Sequence, residues 1–170
     1  PEQSRSFTVG TALSLGDLSV TVDFFRIKVS DRIAQSRDIE LTPAQAAELE
    51  TQGITGASDF ASFRFFTNDF STRTRGIDVV ATYPLDLFGG NTDIAFTGNW
   101  TETEVTGSRT GLNGEEGAII DVLRRRQIEE SLPEIRASLT LTHQYDWIRG
   151  LVRLNYFDDY TEFDGDDLAR

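Results

Sequence analysis

Alternation of apolar and polar residues at period two limits this chain more than any other feature of its sequence. From Ile135 to Trp147 the odd positions read Ile135, Ala137, Leu139, Leu141, His143, Tyr145 and Trp147. The even positions read Arg136, Ser138, Thr140, Thr142, Gln144 and Asp146. Successive side chains of an extended strand point to opposite faces, so this stretch has one apolar face and one polar face. The pattern recurs in Phe7, Val9, Leu13 and Leu15, and in Leu18, Val20, Val22 and Phe24. It returns in Ile77, Val79, Ala81 and Tyr83, in Ile94, Phe96 and Trp100, and in Val152, Leu154 and Tyr156. Six strands are expected, near 4–15, 18–30, 70–88, 91–105, 133–147 and 149–160. After Phe24 the phase inverts, because Phe25, Ile27 and Val29 become the apolar set, and a β-bulge near Phe24 and Phe25 is the expected cause.

The connections alternate in length. Gly16-Asp17, the stretch near Gly89-Gly90-Asn91, and Trp147 to Gly150 are short enough for hairpin turns. Between them lie two long segments, 30–70 and 106–133, well beyond the ~12–15 residues usual for an unstructured loop. Each is expected to hold a short helix. Thr42-Pro43-Ala44-Gln45 has the N-cap, first-turn proline and reciprocal glutamine of a capping box, and Gly53 supplies a stop. Glu115 and Glu116 are expected to open the second helix, with Arg124, Arg125 and Arg126 near its end.

Tight turns at one end and long loops at the other is the asymmetry of an outer-membrane β-barrel. No apolar run approaches the ~18 residues of a helical span, so any membrane crossing must be made by strands. Tyr83, Phe88 and Trp147 near the short turns, with Trp100 and Tyr156 farther along, are the aromatics expected at the membrane interfaces. The polar face, rich in Thr, Ser, Asn, Gln, Asp and Arg, would then line a barrel interior. A net charge of −12 argues against a nucleic-acid partner, and the absence of cysteine removes thiol catalysis and cysteine-based metal sites. The opening at Pro1, the absence of methionine and the acidic stretch 164–170 lead us to expect a piece of a larger chain.

The remaining candidates for chemistry have simpler explanations. Asp158, Asp159, Asp164, Asp166 and Asp167 lack the spacing of a calcium loop and read as a solvated segment. His143, the only histidine, has no indicated nucleophile or companion ligand and reads as a packing or interface residue. Glu102 and Glu104 share a strand face, but paired carboxylates carry no catalytic weight without a cleft. Arg73 and Arg75 alternate with Thr72 and Thr74, so one of the two pairs points inward, and salt bridging in the lumen or a loop is expected for the arginines. Arg124, Arg125 and Arg126 could pair with an anionic ligand or serve as solvated charges at a helix end. No catalytic, cofactor-binding or metal-ligating residue is assigned.

Phe65-Phe66-Thr67-Asn68-Asp69-Phe70-Ser71-Thr72-Arg73-Thr74-Arg75-Gly76-Ile77-Asp78-Val79 resembles the strand of TonB-dependent receptors that returns after a long extracellular loop, with Thr-Arg-Gly-Ile-Asp as its core. Residues 22–33 resemble the strand before that loop, and Gly98-Asn99-Trp100-Thr101-Glu102-Thr103-Glu104-Val105 the strand after the next periplasmic turn. The resemblance covers nearly the whole chain. It implies an all-β, antiparallel up-and-down meander of six strands, part of a barrel of about 22 strands. It also implies an outer-membrane location in a Gram-negative bacterium, a plug domain in the parent chain, and the TonB protein as energy-coupling partner. The implied ligand is a scarce small molecule such as a ferric siderophore, cobalamin or a carbohydrate. No plug, TonB box or terminal aromatic strand is recognisable. The isolated piece is expected to self-associate through its open edges and apolar face. The rival reading is a soluble β-rich extracellular binding module, for carbohydrate or adhesion, with its apolar faces packed sheet on sheet.

Overall fold

In the computed structural model, which describes residues 1–36, 39–60, 62–108 and 122–162, the alternating segments form one six-stranded antiparallel sheet. Its strands are β1 (Gln3–Leu15), β2 (Leu18–Gln35), β5 (Phe66–Leu87), β6 (Gly90–Ser108), β7 (Ile135–Tyr145) and β8 (Ile148–Phe157), and they lie side by side in chain order. Between β2 and β5 come two short paired strands, β3 (Ile39–Glu40) and β4 (Ser62–Phe63), with helix α1 (Pro43–Thr51) and a 3-10 turn at Ala57–Asp59. Helix α2 (Val122–Glu130) precedes β7.

The three short connections are two-residue turns at one end of the sheet. Leu15 pairs with Leu18 around Gly16-Asp17, Leu87 with Gly90 around Phe88-Gly89, and Tyr145 with Ile148 around Asp146-Trp147. The second turn lies one to two residues before the expected position. Phe88 and Gly89 both take positive φ, 50° and 78°, the backbone twist that suits a two-residue hairpin. The strands nearest the long loops run further than expected: β2 continues to Gln35, β5 begins at Phe66 and β6 reaches Ser108. Polar residues with no alternation can still pair when a neighbouring strand offers its backbone, which is why pattern alone stops short there.

Register shows why the alternation inverts at Phe24. Pairing is unbroken through this point on both sides, with Val9 opposite Phe24 opposite Ile77, and Thr8 opposite Phe25 opposite Gly76. The expected bulge is therefore absent. The irregularities lie farther along, between Val29 and Ile33 on β2 and at Ser71/Thr72 on β5. Phe25, Ile27 and Val29 stay on the polar face, while Arg26 and Lys28 continue the face of Val20, Val22 and Phe24. What changes is the surroundings: the apolar face gives way to charge, while Phe25, Ile27 and Val29 are half-buried on the opposite face.

Farther toward the long loops lies the small core of the sheet. Ala34, Phe70 and Val105 are buried together, and Ile128 of α2 packs against them. The Glu129 carboxylate of α2 accepts a 2.8 Å hydrogen bond from the Val105 backbone N–H, on a stretch of β6 beyond its last pair with β7 at Trp100–Ile135. Elsewhere the sheet is a single layer. Leu139 is 42 % exposed, Val152 61 % and Leu154 64 %, so no second sheet covers the apolar face among the described residues, as a soluble sandwich would require. Phe70→Ala is expected to cost about 3–5 kcal/mol of local packing and to release α2. Limited proteolysis of the intact protein should then cut between β6 and β7 at least several-fold faster.

Candidate functional site

Register sorts the sheet into rows of directly opposed residues. On the apolar face one row reads Leu13, Val20, Ala81, Phe96, Leu139 and Leu154, and a parallel one Val9, Phe24, Ile77, Trp100 and Ile135. On β5 this face is apolar from Leu87 to Ile77, with Tyr83 among its members. Ten residue steps at roughly 3.4 Å, tilted by about 45°, span roughly 24 Å, close to the apolar band of a membrane barrel.

Of the expected aromatics, Phe88 and Trp147 fall at one end of this band and Trp100 and Tyr156 toward the other, while Tyr83 lies within it. Phe88 and Trp147 sit in the tight turns, 90 % and 84 % exposed, and Tyr83 lies five positions before Phe88. At the other border the Trp100 indole N–H donates to the Glu134 carboxylate at 3.4 Å, and the Tyr156 hydroxyl to Asp158 at 3.3 Å. Trp100 and Tyr156 thus each have an apolar body over the band and a polar tip outside it.

The polar face carries a groove of about 320 Å³ running across β5, β6, β7 and β8, in which Asp78, Asn99, Arg136 and Asn155 lie among apolar walls that include Val80 and Phe157. Its floor is tied by hydrogen bonds: Asn99 donates to Asp78 at 2.7 Å, and Thr101 donates to Asn99 at 3.0 Å. Beside it Arg153 donates to Thr140 at 2.9 Å. Asp78 belongs to the Thr-Arg-Gly-Ile-Asp motif, so the motif supplies a groove residue. Sequence reading did not single out this groove. The signal that finds it is register counted outward from the tight turns, which sets Asp78, Asn99 and Arg136 in one row.

The two long connections carry the helices. Helix α1 starts as expected, with Thr42 and Gln45 exchanging the reciprocal hydrogen bonds of a capping box and Gly53 following the helix at φ 94°. In the described part of helix α2, Arg124, Arg125 and Arg126 are followed by four more helical residues, Gln127 to Glu130. The helix closes instead on Glu129 and Glu130, opposite to what its dipole favours. Those carboxylates are held by arginines one turn back, Arg125 to Glu129 at 3.1 Å and Arg126 to Glu130 at 2.9 Å, while Arg124 donates to Gln127. The Arg126 hydrogen bond holds the Glu130 carboxyl below the usual carboxylate range. A carboxyl lowered by folding contributes stability that is present above its unfolded pKa and lost as pH falls through the folded one. Acidification through that range is therefore expected to loosen the end of α2, seen as faster amide exchange near Glu130. Glu115 and Glu116 lie outside the described residues.

The other candidates resolve simply. Arg73 and Arg75 face outward on the side of the apolar band, salt-bridged to Glu104 and Glu102, while Thr72 and Thr74 take the polar face; the expected salt bridges are there, but not in a lumen or a loop. Glu102 and Glu104 are thereby ion-pair partners. His143 Nδ1 shares a 2.8 Å hydrogen bond with the buried Thr92 hydroxyl and meets the Phe88 ring edge-on. Asp158 accepts from Tyr156 and from the Asp159 N–H, whereas Asp164, Asp166 and Asp167 lie outside the described residues.

Comparison with known proteins agrees with this geometry. A search of curated proteins returns no match. The family model described as TonB dependent receptor-like, beta-barrel matches residues 1–169, nearly the full length of the sequence. A single-layer antiparallel sheet, apolar on one face, polar on the other, and long-looped at one end only, is the wall segment such a model describes, and the chain belongs to the TonB-dependent receptor β-barrel family.

Proposed function

We propose that the chain forms part of the wall and mouth of an energised outer-membrane importer for a scarce small ligand. The family is one of transport receptors in the outer membrane of Gram-negative bacteria, not of enzymes. The observation that carries the reading is the division of labour between the two sheet faces, with an apolar band on one and a groove floored by hydrogen-bonded polar side chains on the other. In this reading the apolar band meets lipid, the groove faces the lumen and the parent's plug domain, and the TonB protein couples transport to inner-membrane energy. The segments around α1 and α2 stand on the extracellular side. A ferric siderophore, cobalamin or a carbohydrate is the ligand class, and Arg124, Arg125 and Arg126 are the ligand-side cations, Arg125 and Arg126 exchanging their glutamate partners for a more strongly charged anion. The isolated segment, with two unpaired edges and an uncovered apolar face, self-associates in buffer without detergent.

Uptake of labelled ferric siderophore, cobalamin and oligosaccharide into cells expressing the intact parent receptor tests this. Accumulation of one of these ligands that vanishes when TonB is removed is expected. Replacing Arg124, Arg125 and Arg126 together by glutamine should weaken binding of an anionic ligand about tenfold or more and leave a neutral one unchanged. If no ligand is accumulated, or accumulation persists without TonB, the transport reading falls.

A further inference from the structure

We propose that the outward face of β1, β2 and β5, just beyond the apolar band, is a binding site for phosphate groups of outer-leaflet lipid headgroups, held by Arg5, Arg26 and Lys28. The inference rests on the reading of the sheet as a membrane wall. Two rows lie beyond Val9, Phe24, Ile77 and Trp100 on the same face. The nearer sets Phe7 opposite Arg26, Arg26 opposite Arg75, and Arg75 opposite Glu102; the farther sets Arg5 opposite Lys28, Lys28 opposite Arg73, and Arg73 opposite Glu104.

Three of these cross-strand contacts therefore put cation directly against cation. Such pairs destabilise a sheet, and threonine at these positions would hold the strands equally well. The two glutamates reach only Arg75 and Arg73. Arg5, Arg26 and Lys28 are exposed and form no ion pair among the described residues. The surface thus carries an excess of three positive charges, five cations less two glutamates, in a chain whose net charge is −12. A sheet face that sets cation against cation three times, and supplies glutamates to only two of its five cations, marks a site whose partner is external.

Height selects the partner. The Arg75 guanidinium stands 5.9 Å from the Trp100 ring centre, so the cations begin where the interfacial tryptophan ends the apolar band. A lipid that lays its acyl chains along Val9, Val22 and Phe24 brings its headgroup phosphate over Arg26, Arg5 and Lys28. There it accepts charge-assisted hydrogen bonds from guanidinium and ammonium groups. Tail contact and phosphate contact reinforce each other as two linked binding events, an advantage that free phosphate lacks.

The intact parent receptor, purified in a neutral detergent, is titrated with a phosphorylated glucosamine-based acyl lipid, with the same lipid after phosphate removal, and with inorganic phosphate, and bound lipid is read by native mass spectrometry. Binding of the phosphorylated lipid about tenfold tighter than its dephosphorylated form is expected. Combined Arg5→Gln, Arg26→Gln and Lys28→Gln should erase that preference, while Arg5→Lys, Arg26→Lys and Lys28→Arg together should keep it. A preference that survives the glutamine variant, or that inorganic phosphate at equal concentration abolishes, overturns the proposal. Assembly of Leu139→Arg reports on the wall reading separately: if that variant is blocked from assembly and the glutamine variant still prefers the phosphorylated lipid, only the headgroup site falls.

Discussion

Leu139→Arg in the intact parent is expected to abolish assembly into the outer membrane, whereas Thr140→Arg, one residue on, should assemble at close to the normal level. Leu139 stands mid-band in the row with Phe96 and Leu154, so an arginine there would point into hydrocarbon. On a barrel's lipid face that costs about 2–4 kcal/mol at mid-membrane, a large part of what a marginally stable fold has to spare. Thr140 lies on the polar face opposite Arg153, from which it accepts a hydrogen bond. An arginine at Thr140 loses that bond and faces a like charge in a wet setting, worth about 1 kcal/mol or less. The heat-modifiable folded band on a gel, compared between the two variants, measures the difference. Equal assembly would mean that the faces are not lipid and lumen.

Gly76→Ala should destabilise the wall by about 1–3 kcal/mol although it adds a single methyl group. Gly76 lies opposite Phe25 on the polar face, and a Cβ at this position would overlap the Phe25 ring and the Trp100 backbone carbonyl. The ring lies across the glycine and takes the place of the missing side chain. Phe25→Ala combined with Gly76→Ala should therefore cost less than the two changes summed, the carbonyl overlap remaining. Chemical denaturation of the refolded parent in detergent gives all three values. Strict additivity would mean that the ring does not rest on the glycine.

These two cases show where sequence was informative. Alternation exposed the six wall strands, though not the short β3 and β4, because a half-buried strand writes its two faces into every second residue. The Thr-Arg-Gly-Ile-Asp core was visible as a pattern, but its reason was not, since Phe25 lies about fifty positions earlier. At Phe24 the same alternation misled. An inverted phase can come from a bulge or from a change in what each face meets, and only the unbroken register distinguishes them. The groove and the opposed cations were likewise hidden, because each residue is ordinary in its own strand and acquires meaning from its neighbour in the next. The burial of Phe70 under Ile128 depends on a helix that follows β6 and leaves no local mark.

Strand order equal to chain order has a kinetic consequence. Every wall strand is hydrogen-bonded to the strand next along the chain, so no strand waits for a distant partner. Loop closure costs only about 0.6 kcal/mol more for each doubling of length, so the ~30-residue connection from β2 to β5 is some 2–2.5 kcal/mol harder to close than a two-residue turn. Three hairpins, β1 with β2, β5 with β6, and β7 with β8, therefore close first and become the pieces that later join across the long loops. In a growing barrel such pieces can be added pair by pair, each exposed edge serving as the template for the next, and a slowed step should appear at the seams Val22–Val79 and Phe96–Leu139 and not inside a hairpin.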